Sequence, residues 1–231
     1  EVWIVMGLSH SPSIVMDGLI LNIDAGNIRS YSGSGITANG LVGGIGGTLV
    51  NGVGFTSSNN GSFVFDGTND YISAPNDSSL DLTGDMTAMT WFKIITLPGN
   101  DWVRVIGKGD SANRTFGFWY YSGSPNYFLY QRYGASNVGV IISTTLLLNV
   151  WYHAAVTSNG SFHRMYINGI EVGNHSANPP FLLSSSLLKI GYGEIHSYHN
   201  GHISQAMIYN RALSAQEIKQ NYNATKKRYG L

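Results

Sequence analysis

The 231-residue chain contains no cysteine, which excludes disulfides, thiolate metal ligands and a cysteine nucleophile. Charge is scarce: Asp, Glu, Lys and Arg make up 11% of residues, and 13 basic residues balance 13 acidic ones. With no net field to attract a phosphate backbone, nucleic acid is not an expected partner. The one basic run, Lys226-Lys227-Arg228, reads as a solvated tail. No apolar run is long enough to span a bilayer, because the nearest, Val138 to Val150, is broken by Ser143, Thr144, Thr145 and Asn149. No membrane partner is expected. The apolar opening, Glu1 to Met16, has no basic residue before Arg29 and is interrupted by Gly7, Ser9, His10, Ser11 and Pro12, so it does not read as a secretory signal.

What the chain has in quantity is glycine, 29 residues, and tyrosine, 14, the composition of many short strands joined by tight turns. One large β domain is the simplest reading of this length. The most regular stretch is Trp151 to Val172. There Trp151–Thr157 and Phe162–Ile167 flank Asn159-Gly160, and Asn168-Gly169 follows, both dipeptides suiting type I′ turns. Period-2 alternation predicts a meander with one face buried and most of a second.

Further strands are expected at Asp17–Ala25, Thr48–Val50, Ser62–Phe65, Tyr71–Ser73, Met86–Ile95, Trp102–Lys108, Thr115–Tyr121, Tyr127–Tyr133, Val138–Ser143, Leu187–Gly191 and His202–Tyr209. After the first of these, Asn27 to Gly61 reads as a glycine-rich surface excursion that contains the short strand Thr48–Val50. One helix is predicted, from Ala215 to about Asn221: Ser214 and Glu217 form a capping box, and Leu213 staples onto Ile218.

The motifs FDGTNDYIS (Phe65–Ser73), WYHAAV (Trp151–Val156), MYINGIEV (Met165–Val172), KIG (Lys189–Gly191) and IYNRALSAQEIKQNY (Ile208–Tyr222), in this order, resemble the laminin-G-like, concanavalin A-like jelly roll. The resemblance implies an all-β antiparallel sandwich with one short C-terminal helix, in which residues 1–16 form an apolar arm and 17–231 the domain. SPSIVMDGLILNIDAGNIRSYSGSG (Ser11–Gly35) resembles the opening of laminin-G-like structural proteins of tailed bacteriophages, including those of cyanobacteria. That implies a virion component, assembled in the host cytoplasm, with other capsid or tail proteins and further copies of itself as partners, as a capsid decoration or tail or fibre part. A glycan-binding adhesin is the alternative that the fold implies. Where relatives carry a polar loop such as DLSGNGNNG, this chain has GLVGGIGG at Gly40–Gly47, which removes side chains able to bind a cation.

Some glucanases share such a fold, and glycoside hydrolysis uses a pair of carboxyl groups across one bond. The glutamates are Glu1, Glu171, Glu194 and Glu217, and neither Glu171 nor Glu194 has an acidic residue two positions away, so the strand signature E-x-D-x-E is absent. An enzyme is not expected. His196, His199 and His202 have a spacing that suits neither a strand face nor a helix face, and read as surface-loop histidines rather than metal ligands. Asp66, Asn69 and Asp70 offer oxygen ligands for Ca²⁺ from one loop, though the same residues are ordinary turn formers; no other cofactor is indicated.

For ligand binding, Trp119-Tyr120-Tyr121 cannot all point into one core if they form a strand. Trp119, Tyr121, Tyr130 and Tyr133 are therefore the expected stacking residues for a host-surface glycan or a neighbouring subunit. The apolar arm, through Trp3, Ile4, Val5 and Leu8, is the expected partner contact, with packing on its own domain as the other reading.

Overall fold

Residues 12–110, 114–123, 126–133, 137–177 and 179–231 are described by a computed structural model. The arm residues Trp3, Ile4, Val5 and Leu8 lie outside the described residues. Among the described residues sixteen strands follow one another as β1 (Leu19–Asp24), β2 (Thr37–Ala38), β3 (Gly47–Val50), β4 (Gly54–Thr56), β5 (Ser62–Asp66), β6 (Tyr71–Ala74), β7 (Met86–Ile94) and β8 (Trp102–Lys108). They continue as β9 (Phe116–Tyr121), β10 (Asn126–Tyr133), β11 (Asn137–Thr144), β12 (Trp151–Ser158), β13 (Phe162–Ile167), β14 (Ile170–Ser176), β15 (Leu188–Ile190) and β16 (Asn200–Tyr209), before the helix α1 (Ala215–Thr225).

The strands form two antiparallel sheets of eight. Sheet A runs β14-β13-β12-β7-β16-β5-β4, and β1 pairs with the second half of β16, end to end with β5. Sheet B runs β11-β10-β9-β8-β15-β6-β3-β2. Their inner faces enclose the core, where Phe63, Phe92, Phe118, Tyr120, Phe128 and Ile208 meet. The sandwich expected from the sequence is the observed architecture.

The outer face of sheet A is also buried over its central strands, because α1 lies on it. Met89, Ala155, Tyr166, Met207 and Tyr209 pack against Leu213 and Ile218, while Trp91 and Trp151 pack against Tyr229. Strand β12 is consequently buried along its whole length, on both faces. The capping box forms as predicted, with the Glu217 carboxylate also bridged to Arg211. The helix runs past Asn221 to Thr225, since Tyr222 stacks on Trp91 and the Trp91 indole donates to Thr225 Oγ1 at 2.9 Å. Of the two Asn-Gly turns, only Asn168-Gly169 has positive φ at both residues (53° and 77°). Asn159-Gly160 is not a type I′ turn; there the Asn159 side chain accepts from the amides of Ser161 and Phe162 across the loop between β12 and β13.

The Asn27–Gly61 passage departs from the surface excursion expected of it. Besides β3, which was expected, it supplies β2 and β4, and Tyr31, Ala38, Ile45, Leu49 and Val53 enter the core. Its strands are two to four residues long, too short to display a period.

Candidate functional site

With sheet A covered by the helix, the face left open is the outer face of sheet B. Val103 and Val105 of β8, Phe118 and Tyr120 of β9, and Phe128 of β10 point into the core, so Trp102, Tyr121 and Tyr127 point outward by alternation. The register sets Trp102 opposite Tyr121 and Tyr121 opposite Tyr127. Their rings follow one another across three strands with centroid spacings of 4.8 and 5.9 Å and interplanar angles of 40° and 31°. All three are half-buried, each ring keeping part of its surface in solvent. Half-buried Leu129 and exposed Ile141 lie beside this strip on the same face.

A layer of charge braces the strip. Trp119 lies over Gly117, where a Cβ would meet the indole at 2.0 Å, so only glycine lets the ring lie down on the sheet. The Arg114 guanidinium stacks on Trp119 at 4.7 Å. Arg114 also holds Glu194 through two nitrogens, at 2.9 and 3.3 Å, and Arg104 binds the same carboxylate while reaching Gly109 O and Asp110. Glu194 thus sits between two guanidinium groups with its side chain 3% exposed, its backbone at φ 55°.

This clamp pins the loop from Gly191 to His199 across β8. Farther along the loop, Ser197 donates to Asp101 Oδ2 from both its amide and its hydroxyl, and His196 Nδ1 lies 3.0 Å from Asp101 Oδ1, which also accepts from Trp102 N. Burial pushes the Asp101 carboxyl up, but the hydrogen bonds from Ser197, Trp102 and His196 outweigh it and hold the group below the usual carboxylate range.

Of the four expected stacking residues, Tyr121 stands in the strip. Trp119 is on the same face but buried beneath Arg114, Tyr133 is half-buried with Arg114 5.0 Å from its ring, and Tyr130 is fully buried in the core. Trp102 and Tyr127 complete the strip. Tyr127 was legible as the residue facing Tyr121 across a short hairpin; Trp102 was not, because a bulge between Arg104 and Ile106 shifts the β8 register.

The histidines do not read as the sequence predicts. His199 is fully buried, with Nδ1 3.2 Å from the Tyr120 hydroxyl and its ring against Phe65, and burial pushes its pKa down to about 3. His202 lies on β16 with Nδ1 3.0 Å from Ser62 Oγ, and only His196 is in the loop beside the strip. The three point to different places because β16 begins between them. At the Ca²⁺ candidates, Asp66 Oδ1 accepts from Thr68 N, Asp70 Oδ2 from Asp66 N, and Asn69 O from Asn51, all bonds that fix the turn. Among the described residues no group of three His, Cys, Asp or Glu could hold a metal ion. A separate open cleft of about 470 Å³ at the β4 edge, between Ile28, Tyr31, Phe55 and Asn60, has no charged lining residue.

The profile of the concanavalin A-like lectin/glucanases superfamily matches residues 66–219, from the end of β5 into α1. The chain belongs to this superfamily. No curated protein matches it in sequence. Solved structures share the fold of this superfamily member at low identity. The binding domain of Paraclostridial mosquitocidal protein 1 superposes with TM-score 0.69 and 16% identity, over 90% of this chain and 52% of that one. The binding domain of botulinum neurotoxin DC, in complex with SialylT, gives 0.72 and 13% over 90% and 52%. Trypanosoma rangeli sialidase gives 0.67 and 17% over 91% and 33%. The superfamily chain spans about half the length of the two toxin domains and a third of the sialidase. What is common to them is a lectin-like fold.

Proposed function

We propose that the chain is a non-catalytic recognition module that binds a host-surface glycan on the outer face of sheet B and is carried as a structural component of a bacteriophage virion, in the capsid decoration or in the tail or fibre. In that setting it is assembled in the host cytoplasm and docks on other virion proteins or on copies of itself. The observation that carries the binding reading is the strip of Trp102, Tyr121 and Tyr127, three half-exposed rings in a row on the open face of a lectin-like sandwich. Aromatic faces stack on the C–H faces of sugars. The toxin neighbour solved with SialylT supports this reading by fold analogy only.

The non-catalytic part rests on the carboxylates near the strip. Most glycoside hydrolysis uses one carboxyl free to give a proton and another free to attack or activate water. Asp101 accepts four hydrogen bonds, and Glu194 is clamped between Arg104 and Arg114. The virion part is supported by the phage-like opening sequence.

A glycan array probed with the whole chain tests the binding reading. Binding is expected, and Tyr121→Ala, with its fold verified by circular dichroism, should abolish it; a silent array with folded protein refutes it. Mass spectrometry of purified virions tests the location, with structural copy number expected and absence contrary to it. Ile141 and Leu129 beside the strip favour a second reading, a contact between subunits through the same face. Under that reading Ile141→Lys lowers the oligomeric state in sedimentation while the array stays silent.

A further inference from the structure

We infer that β11, a free edge of sheet B, pairs with the same strand of a second copy, antiparallel across a two-fold axis, and that the two B sheets thereby run on as one. The inference stands whether or not the aromatic strip binds a glycan. Among the described residues five strands pair on one side only: β1, β4 and β14 in sheet A, β2 and β11 in sheet B. An edge of this kind offers unpaired amides and carbonyls to another strand, and folded proteins guard it by shortness, by charge, by a bulge or by a covering loop. Four of the five are guarded in these ways. β2 and β4 are two and three residues long. β14 carries exposed Glu171 and joins β13 through a bulge at Met165 and Tyr166, and a loop covers β1 where Leu41 N donates to Asn22 O. β11 has eight residues, in register with β10 throughout, and no such guard. From Tyr133 to His163 the sequence holds no Asp, Glu, Lys, Arg or Pro. β14 runs beside β11, but Gly173 faces the side chains of Ile142 and Val140, and the β11 backbone pairs with β10 alone among the described residues.

Charge and symmetry name the occupant. Two identical antiparallel strands are related by a two-fold axis, so an edge that pairs with its own copy needs no second, different surface, and the contact closes as a dimer. A charge near such an axis would lie against its own copy and repel it; the uncharged run leaves nothing to repel. Pairing β11 with another edge of a second copy would be head-to-tail, and those edges are the guarded ones. Alternation fixes the register to within a residue. Val140 points into the core, whereas Ile141, opposite Leu129, points outward with 55% of its surface exposed. Residues directly opposite each other in a ladder share a face, so the longest overlap places the axis beside Val140 or Ile141. In both registers Ile141 packs against the partner's strand close to the axis and is withdrawn from water. Because this axis stands perpendicular to the sheet, both outer faces look the same way. The two aromatic strips then share one surface: Tyr127 lies level with Ser143, which puts the two Tyr127 rings on the order of 20 Å apart at ~4.8 Å per strand and ~3.4 Å per residue.

Sedimentation velocity and backbone hydrogen exchange on the whole chain test this together. A monomer–dimer equilibrium is expected, with the dimer predominating at about 100 μM. In the dimer all amides from Val140 to Thr144 should exchange slowly, whereas at high dilution every second one faces solvent and should exchange at least about tenfold faster. Ile141→Lys, at an exposed position, brings two ammonium groups together near the axis and should raise the dimer dissociation constant at least about tenfold while the circular dichroism of the monomer is kept. Tyr121→Ala should leave the dimer intact, because the strip lies outside the contact. A chain that stays monomeric at about 100 μM overturns the inference. So does a dimer in which alternate β11 amides still exchange fast, and so does one that Tyr121→Ala dissociates, since that dimer is held face to face.

Discussion

Lowering the pH from 7 to 5 should remove about 4 kcal/mol of stability through two histidines alone. His153 and His199 have no solvent exposure, and burial pushes each imidazole down to about 3. His153 is enclosed by Trp91 at 5.1 Å and Tyr222 at 5.8 Å, and neither of its ring nitrogens has a hydrogen-bond partner among the described residues to offset the loss of water around a charged imidazole. In the unfolded chain the same groups titrate near ~6.5. Between about 3 and 6.5 the unfolded state therefore binds a proton that the folded state refuses at each site, so stability falls as pH falls through this window. With ~1.4 kcal/mol per pH unit per group, the change between pH 7 and 5 is about 2 kcal/mol for each histidine. Carboxylates contribute little over this range because they titrate lower.

Urea denaturation at both pH values measures the difference, to which His163 and His202, each held at about 4 by burial, add in the same direction. His153→Phe keeps an aromatic ring without a titrating nitrogen and should reduce the pH 7 to 5 difference by about 2 kcal/mol. An unchanged difference in the folded variant, or an NMR titration placing His153 above pH 5.5 in the native protein, refutes the reasoning.

Two other substitutions probe the brace beneath the strip. Glu194→Gln leaves the buried guanidinium groups of Arg104 and Arg114 short of their shared counter-charge and should destabilise the domain by about 3 kcal/mol in chemical denaturation; a loss below 1 kcal/mol would mean that the clamp contributes little. Gly117→Ala places a methyl group where the Trp119 indole lies, and should shift tryptophan fluorescence and cost about 1–3 kcal/mol, whereas a neutral result would show that the ring has room to move.

The sequence made the long strands legible and the site only in part, and the reason is range. Alternation and turn residues are local, so β7, β12, β13 and the capped α1 could be read along the chain. Ser214 and Glu217 announce their contact at three residues' distance, whereas Arg104 and Glu194 meet across 90 residues and carry no mark of it. Strand alternation correctly divides Trp119-Tyr120-Tyr121 between two faces, but does not say that Arg114 will cover Trp119 and leave Tyr121 open. Likewise His199 shares its spacing with two neighbours yet is buried, since its fate depends on where β16 begins and what packs there.

The Val15 amide donates to Asn221 at 2.7 Å, Gln220 holds Ser13 O, and the Tyr209 hydroxyl holds Val15 O, so the start of the described chain is fastened to the last helix on the outer side of sheet A. The first described residues and the closing helix therefore lie on one side of the sandwich, and the aromatic strip looks out from the other. A scaffold that grips the module by either end presents the strip outward by construction, without a linker to turn it round. Copies fixed side by side on such a scaffold would all show the same face, so weak single contacts would add up across the array.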